Sequence, residues 1–199
     1  METTEVVSKI TPSTTGAPKS KDPMAPVITR VKLADGGVKF IVIMKHAMLS
    51  AEAYVELVHE LRYATAKDAF DILIQSPGGS VMVGIFLISA MRATKAAVTT
   101  IANGICASMG AITLINGKNV TARPWSQIMF HQTSHADSGK SATVQEFADG
   151  TLAHGKYITE LAVRRGLLTE EEMMSCFDAK ENVYIDGAVM AQRTQAGGA

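Results

Sequence analysis

Apolar and polar positions alternate along the chain from residue 27 onward, and the period of the alternation changes from block to block. The stretches "VITRVKL" and "VKFIVIM" flank the pair Gly36-Gly37 and predict two β-strands joined as a hairpin. After Ser50 the apolar residues, among them Leu57 and Leu61, fall at helical spacing, and Ser50 itself is a suitable N-cap. This stretch therefore predicts a helix.

The centre of the chain alternates strands with helices. "AFDILIQ" predicts a strand, "SPGGS" a turn, "VMVGIFLISAMRAT" a helix and "AAVTTIA" a further strand. Strands that alternate with helices in this way usually form a parallel sheet with crossover helices. The predicted fold class is α/β, with a mostly parallel sheet.

The C-terminal half continues this pattern. "NVTARPWSQIMF" predicts one or two strands. A long amphipathic helix is predicted from about Ser141 to Arg165, and Gly166 fits its end. Thr169, with Glu172 three residues later, has the spacing of a capping box and predicts the start of another helix.

The first 26 residues differ in composition from the rest. They are rich in Pro, Ser, Thr and Lys and almost free of large apolar side chains. Such a segment cannot bury enough surface to offset the entropy lost on ordering. We expect residues 1–26 to be a flexible N-terminal tail or leader and residues 27–199 to form one domain.

Composition and charge exclude several classes of function. The chain has 19 Lys and Arg residues against 19 Asp and Glu residues, which argues against a nucleic-acid partner. Its longest apolar run, Val81 to Met91, is shorter than the roughly 20 residues that span a bilayer, so no membrane is expected. Cys106 and Cys176 lack CxxC spacing and are too few for a disulfide framework. We therefore expect reduced thiols in a cytoplasmic protein.

Two glycine-containing turns are candidates for chemistry, and each has a structural alternative. Gly78 and Gly79 of "SPGG" could present backbone N–H groups to an anion or oxyanion, or they could form an ordinary βα turn. Ser108 of "GICASMG" lies among small residues before a predicted helix and could be a nucleophile or a simple N-cap. "CASMG" lacks the first glycine of the G-x-S-x-G elbow, which disfavours an α/β-hydrolase.

His131, at the end of the apolar strand "QIMF", is a third candidate. Imidazole exchanges protons near neutral pH and so can serve as a general base, although a single histidine can also be purely structural. His135 lies four residues further on, but the pair lacks the glutamate of HExxH, and no metal site is predicted. "GKS" at 139–141 lacks the upstream glycine of a P-loop, so neither ATP nor any other cofactor is expected.

The order of these motifs resembles one known family. Strand–"SPGG"–helix, then strand–"ASMG"–helix, then strand–"HQ" is similar to the proteolytic subunit family of the Clp protease, the ClpP-like serine peptidases of the crotonase-like superfamily. The resemblance extends from about Val38 to Ala191. It implies a ClpP/crotonase-like fold over most of the chain, with a protruding helix that is called the handle in this family.

The resemblance also implies roles for individual residues. The serine of "ASMG" is the family's nucleophile, which corresponds to Ser108, and the histidine of "HQ" is its base, which corresponds to His131. The N–H groups of the second glycine of "SPGG" and of the residue after the serine form the oxyanion hole, which corresponds to Gly79 and Met109.

The third catalytic position departs from the family pattern. Matching the segment that follows the family's aspartate to "VYIDGAVMAQ" places Asn182 where the family usually has that aspartate. Asn can orient an imidazole through its carbonyl group but supplies no negative charge. Asp178, four residues earlier, is an alternative if the loop bends, and a site without a functional third member is a further one.

The family forms seven-membered rings, stacked face to face, that enclose the catalytic serines. By resemblance the helix from about Ser141 to Arg165 is the handle that joins the rings, and polypeptides are the expected substrates, unfolded chains or, as in related phage peptidases, scaffold proteins. An AAA+ unfoldase would act in trans, because this chain has no Walker motif. A catalytically weakened structural or regulatory ring subunit is the alternative function, and an acyl-CoA hydratase or isomerase of the crotonase type is disfavoured.

Overall fold

A computed structural model of the protein describes residues 20–132, 156–157, 159–179 and 181–196. The strands in these ranges are β1 (Val27–Lys32), β2 (Val38–Met44), β3 (Ala69–Ser76), β4 (Ala97–Ala107), β5 (Asn119–Ala122), β6 (Gln127–Phe130) and β7 (Val183–Asp186). The α-helices are α1 (Val55–Tyr63), α2 (Val81–Ala93), α3 (Met109–Ile115), α5 (Glu170–Phe177) and α6 (Gly187–Ala196). The helical residues 156–157 and 159–164 are labelled α4.

The strands belong to a single mixed sheet with the order β1-β2-β3-β4-β6-β7, and β5 pairs with β4 beside this path. The pairs β2–β3, β3–β4, β4–β5 and β4–β6 are parallel, whereas β1 and β7 pair antiparallel at the two edges. The prediction of an α/β fold is confirmed. The parallel pairs bring the carboxyl ends of β3, β4 and β6 to the same edge of the sheet.

The predicted hairpin is present. β1 and β2 pair in register from Val27–Ile43 to Lys32–Val38, and the chain reverses through Gly36, whose φ is 86°. A positive φ is accessible to glycine without steric cost, which is why the turn falls at this glycine pair.

The first helix begins later than the sequence predicts. A 3₁₀ turn at Glu52–Tyr54 precedes α1, and it closes through a hydrogen bond from the Tyr54 N–H to the Ala51 carbonyl at 3.0 Å. The N-cap residue is Ala51 for the 3₁₀ turn and Tyr54 for α1, and neither makes a side-chain capping bond, so the expectation that Ser50 caps the helix is wrong. The tight turn directs Ala53 and Tyr54 into the core, where both are buried, and packing of these side chains sets the helix start instead of a cap.

The core lies between the sheet and its helices. α1 contacts α2, α2 contacts α3, and α6 contacts β5. The strands β2 and β3 contribute Phe40 and Phe70, whose rings stack with their centroids 4.4 Å apart. None of the helices in the described part of the chain is both long enough and apolar enough to cross a bilayer.

The predicted helix boundaries near the C-terminus are confirmed where the chain is described. The Thr169 side chain accepts from the Glu172 N–H, and the Glu172 side chain accepts from the Thr169 N–H, which makes the predicted capping box of α5. Gly166 ends α4 with φ of 69°, as a helix-terminating glycine does. The predicted handle helix lies mainly outside the described residues, which include only its C-terminal part from 156.

Candidate active site

Ser108 lies at the junction of β4 and α3 in a strained conformation. Its φ is 53° and its ψ is −125°, and within the described ranges it is the one residue other than glycine with a positive φ. Its side chain is half-buried and makes no capping hydrogen bond to α3, although Ser108 occupies the N-cap position. A capping role therefore does not explain the serine, and strain of this kind is concentrated at functional sites.

Gly78 packs directly against the serine. A Cβ added at Gly78 would lie 2.6 Å from the Ser108 Cβ and 2.7 Å from the Ala107 carbonyl oxygen, and the φ of Gly78 is 99°. Only glycine satisfies both conditions. The "SPGG" and "ASMG" turns, which are separate in the sequence, therefore form one continuous structure in which each fixes the backbone of the other.

Two backbone N–H groups, one in the "SPGG" turn and one directly after Ser108, have no hydrogen-bond acceptor among the residues that the structure describes. Met48 pairs with Gly79 through bonds from the Met48 N–H to the Gly78 carbonyl (2.7 Å) and from the Ser80 N–H to the Met48 carbonyl (2.8 Å), so the Gly79 N–H takes no part in the bridge. Met109 is the first residue of α3, and the first N–H groups of a helix have no intrahelical acceptor. Both residues are those expected to form the oxyanion hole.

The Ser76 side chain stabilises the turn that contains Gly78 and Gly79. The Ser76 hydroxyl donates to the His46 carbonyl oxygen at 2.7 Å and accepts from the Gly78 N–H at 3.2 Å. Together with Met48, these bonds fasten the segment after β2 across the turn. Sequence reasoning missed this segment, because "KHAML" has no recognisable motif and its contribution is made by backbone atoms.

His131 follows β6, the strand that pairs with the end of β4. Ala107 pairs with Met129, and the Ser108 N–H donates to the Met129 carbonyl at 2.8 Å. His131 lies two residues beyond Met129 and is half-buried. Ser108 and His131 therefore leave neighbouring parallel strands at the same edge of the sheet. The described residues include no hydrogen bond between the Ser108 hydroxyl and the His131 ring, a contact that often tightens only when substrate is bound.

His131 directly follows β6, and Asn182 directly precedes β7, the strand that pairs antiparallel with β6. The last pair of this ladder is Phe130 with Val183, and continuing the same register by one residue would place His131 opposite Asn182. Asp178 lies instead at the C-cap of α5, where it is exposed and forms an ion pair with Lys156 at 3.6 Å. The register therefore favours Asn182 over Asp178 as the residue expected beside the histidine.

Cys106, two residues before Ser108, is not suited to nucleophilic attack. It is fully buried, and burial raises the pKa of its thiol far above the ordinary value. A thiol that resists ionisation is a poor nucleophile.

No cluster of three metal-ligating side chains occurs among the residues that the structure describes. His135, the other half of the histidine pair discussed above, lies outside those residues.

Comparison with known proteins identifies the class to which this fold and site belong. A family model described as Clp protease matches residues 38–188. The chain is 35% identical over 122 residues to an ATP-dependent Clp protease proteolytic subunit of Pleurastrum terricola, an alignment that covers 59% of this chain and 62% of the relative. It is 31% identical over 143 residues to ATP-dependent Clp protease proteolytic subunit 1 of Streptomyces coelicolor, covering 66% of this chain and 65% of the relative.

The chain belongs to the Clp protease family. The match extends from the start of β2 into α6 and so includes every residue of the candidate site. The alignments span less than two thirds of the length of these two curated relatives.

Proposed function

We propose that the protein is a serine endopeptidase in which Ser108 is the nucleophile and His131 the general base. The observation that supports this most is the convergence of the "SPGG" turn, the strained Ser108 and the end of β6 at one edge of the sheet. The proposed oxyanion donors are the N–H groups of Gly79, which follows the glycine that packs on the serine, and of Met109, the next residue after the serine; preorganised donors of this kind stabilise the oxyanion of acyl transfer.

The chemistry follows the serine-protease pattern. His131 takes the proton of the Ser108 hydroxyl while the oxygen attacks the peptide carbonyl carbon, and the oxyanion accepts hydrogen bonds from the Gly79 and Met109 N–H groups. Collapse of this intermediate breaks the C–N bond, and His131 returns the proton to the leaving amine. Water then repeats the sequence on the acyl-enzyme with His131 again as base, which releases the second product and restores Ser108.

Asn182 completes the site as the residue that orients His131. Its amide oxygen can accept a hydrogen bond from the ring and so fix the productive tautomer, as the asparagine of papain-like enzymes does. An amide carries no charge, so it stabilises the imidazolium formed during catalysis less than an aspartate would. The expected enzyme is therefore active but slower than one with an acidic third residue.

The proposal includes an assembly. We expect heptameric rings joined through the handle helix, with unfolded or scaffold polypeptides as substrates and an AAA+ unfoldase in trans as a partner, in the cytoplasm. The printed names of the two relatives describe proteolytic subunits of ATP-dependent Clp proteases, and their similarity to this chain supports this part of the proposal.

A second function is favoured by one observation. The β6–β7 ladder ends one residue before His131 and Asn182, and a site with Asn182 in place of an aspartate would suit a weakened ring subunit with a structural or regulatory role. The two functions differ in whether Ser108 is chemically activated, so covalent labelling separates them.

The decisive experiment treats the folded protein with a fluorophosphonate probe and locates the adduct by mass spectrometry. We expect modification at Ser108, complete loss of the adduct and of peptide hydrolysis in Ser108→Ala, and unchanged labelling in Ser89→Ala, which alters an exposed serine in the C-terminal half of α2. Absence of an adduct on Ser108 in correctly folded protein would contradict the peptidase proposal and leave the ring-subunit function.

The third residue is tested by its own pair of variants. Asn182→Asp supplies the missing charge and should raise kcat at least tenfold, in the direction of the roughly 10⁴-fold effect that the opposite change has in a serine protease. Asp178→Ala should leave kcat within a factor of about two, because its carboxylate is exposed and paired with Lys156. Loss of hydrolysis in Asp178→Ala with no gain in Asn182→Asp would assign the role to Asp178.

A further inference from the structure

A cavity whose lining begins just after the C-terminal end of α3, the end opposite to Ser108, is lined by positive charge. It has a volume of about 340 Å³ and lies between the start of β5, the end of α4 and the last turn of α6. Lys118, Arg164 and Arg165 contribute cations to its lining, and Asn119 and Thr194 contribute an amide and a hydroxyl. No acidic side chain of the described residues lines it.

These three cations are not neutralised within the described part of the chain. There, the cations that form ion pairs with carboxylates lie elsewhere, for example Arg30 with Glu56 and Arg193 with Glu172. Neither Lys118 nor either of the two arginines of the cavity has a carboxylate within ion-pair distance among the described residues. The cavity therefore concentrates positive charge that has no carboxylate partner among the described residues.

Two of the cations are fixed in place by neutral groups. The Arg165 guanidinium donates to the carbonyls of Ile115 (2.9 Å), Gly117 (2.8 Å) and Lys118 (3.0 Å). The Lys118 ammonium donates to the carbonyls of Thr94 (2.6 Å) and Ala96 (2.7 Å). A guanidinium has five N–H donors and an ammonium three, so each retains at least one donor for a ligand. Binding would cost little ordering of these side chains, because they are already positioned.

The electrostatic surroundings of Arg165 favour an anion. Burial lowers the pKa of Arg165, and the positive charge of Arg92 lowers it further. Each of these effects opposes the charged guanidinium, and a bound anion would counteract both.

We propose that this cavity is a binding site for a small, multiply charged phosphate anion, either inorganic or carried as a phosphate ester. Phosphate oxygens suit the forked donors of arginine, and three cations match the charge of a di- or trianion better than that of a single carboxylate. The volume lies at the small end of the range for ligand sites. The proposal is independent of the peptidase function and requires no catalytic residue.

Arg164 provides the cleanest variant for the test. It is exposed, and within the described residues Arg164→Gln removes a charge from the cavity without removing a hydrogen bond or an ion pair. Arg62→Gln is the matched control, since Arg62 is an exposed arginine at the end of α1, away from the cavity. Asn119→Asp is a second variant that places a negative charge in the lining while keeping the size of the side chain.

The experiment is isothermal titration of the full chain with sodium pyrophosphate at fixed ionic strength, with citrate as a carboxylate of similar charge. We expect pyrophosphate to bind, Arg164→Gln and Asn119→Asp to weaken it about tenfold or more, and Arg62→Gln to leave it unchanged. The midpoint of thermal unfolding should rise with pyrophosphate in the unaltered chain and in Arg62→Gln, and much less in the two cavity variants.

Inorganic phosphate and AMP distinguish the two sources of the ligand. Binding of phosphate and pyrophosphate without AMP would support an inorganic ligand, and equal or tighter binding of AMP would support a phosphate ester. Absence of any pyrophosphate binding, equal binding of citrate, or equal weakening by Arg62→Gln would each overturn the proposal.

Discussion

The two ends of helix α3 differ in how their backbone groups are used. At the N-terminal end, Ser108 has a strained backbone, its hydroxyl makes no cap, and the Met109 N–H is left without an intrahelical acceptor. At the C-terminal end, the carbonyls of the last turn are almost all occupied: Asn116 Nδ2 bonds the Ile112 carbonyl, Thr100 Oγ1 that of Leu114, and Arg165 that of Ile115. One end is left open and the other is closed by three different side chains.

This difference shows how so short a helix can present free donors. α3 has seven residues and cannot be stable through its own hydrogen bonds alone. Fixing its C-terminal end to β4 and to the end of α4 determines its position. The N-terminal end can then keep unpaired donors and an unfavourable φ at Ser108, because the surrounding contacts hold that conformation.

The largest effect on peptide hydrolysis is expected from adding a side chain at Gly78, beside the N-terminal end of α3. Gly78→Ala would bring a Cβ within 2.6 Å of the Ser108 Cβ at a φ of 99°, so it should displace the serine and lower the rate of peptide hydrolysis by about 10²-fold or more. The free energy of unfolding should fall by about 3 kcal/mol.

Gly36→Ala is the matched control for this substitution. Gly36 also has a positive φ, of 86°, but nothing lies within 4 Å of an added Cβ. It should cost about 1 kcal/mol of stability and leave hydrolysis unchanged. Rates measured with a fluorogenic peptide, beside thermal unfolding of both variants, test the comparison. Equal rates in Gly78→Ala and the unaltered chain would show that Gly78 does not position Ser108.

An intermediate effect is expected from removing the Arg165 side chain, which bonds carbonyl oxygens at the C-terminal end of α3. Arg165→Ala removes three charge-assisted hydrogen bonds to carbonyl oxygens, and it should lower the free energy of unfolding by about 2 kcal/mol. It should also slow fluorophosphonate labelling of Ser108 without changing the residue that is labelled. Arg165→Lys retains the positive charge but loses the forked guanidinium donors. Its free energy of unfolding should lie between those of Arg165→Ala and the unaltered chain. If Arg165→Ala is destabilised but Ser108 is still labelled at the normal rate, the C-terminal contacts of α3 do not determine the conformation of Ser108.

The smallest effect on stability is expected for Glu172 in α5, which contacts neither end of α3. Burial alone would raise the pKa of Glu172, but hydrogen bonds from Arg193 and from the Thr169 N–H outweigh it and hold the pKa below its usual 4.5. A lowered carboxylate pKa stabilises the folded state above the pKa of the unfolded chain, and this contribution is lost as the pH falls through the folded pKa.

Stability should therefore decline below about pH 4.5, and the part due to Glu172 should be no more than about 1 kcal/mol, because the pair is partly exposed. Glu172→Gln keeps a capping-box residue and removes the charge. The gap in unfolding midpoint between this variant and the unaltered chain should narrow from pH 6 to pH 3. A gap that stays constant over this range would assign the difference to something other than the charge.

The sequence predicted the parts of the molecule that depend on local patterns. The hairpin at Gly36, the alternation of strands and helices and the capping box at Thr169 each follow from a spacing of residue types, and the structure confirms them. The positions of Ser108 and His131 at strand ends also follow, because the carboxyl ends of neighbouring parallel strands share one edge of a sheet.

The parts that could not be predicted depend on contacts between distant segments. The segment around Met48 supports the "SPGG" turn through backbone atoms, which leave no trace in residue type. Arg165 caps carbonyls about 50 residues away, and an arginine in an amphipathic helix gives no sign of such a partner. At Ser50 the local rule was wrong, because burial of Tyr54 decided where the helix begins.

The bond from the Ser108 N–H to the Met129 carbonyl limits how this site could be switched off. It joins the residue that carries the hydroxyl to the strand that leads to His131, at 2.8 Å. Sliding of β4 along β6 would break this bond together with the three pairs beside it, so these contacts oppose such a movement. If the site has a resting form, we expect it to arise from rotation about side-chain bonds or from a shift of the chain after Phe130.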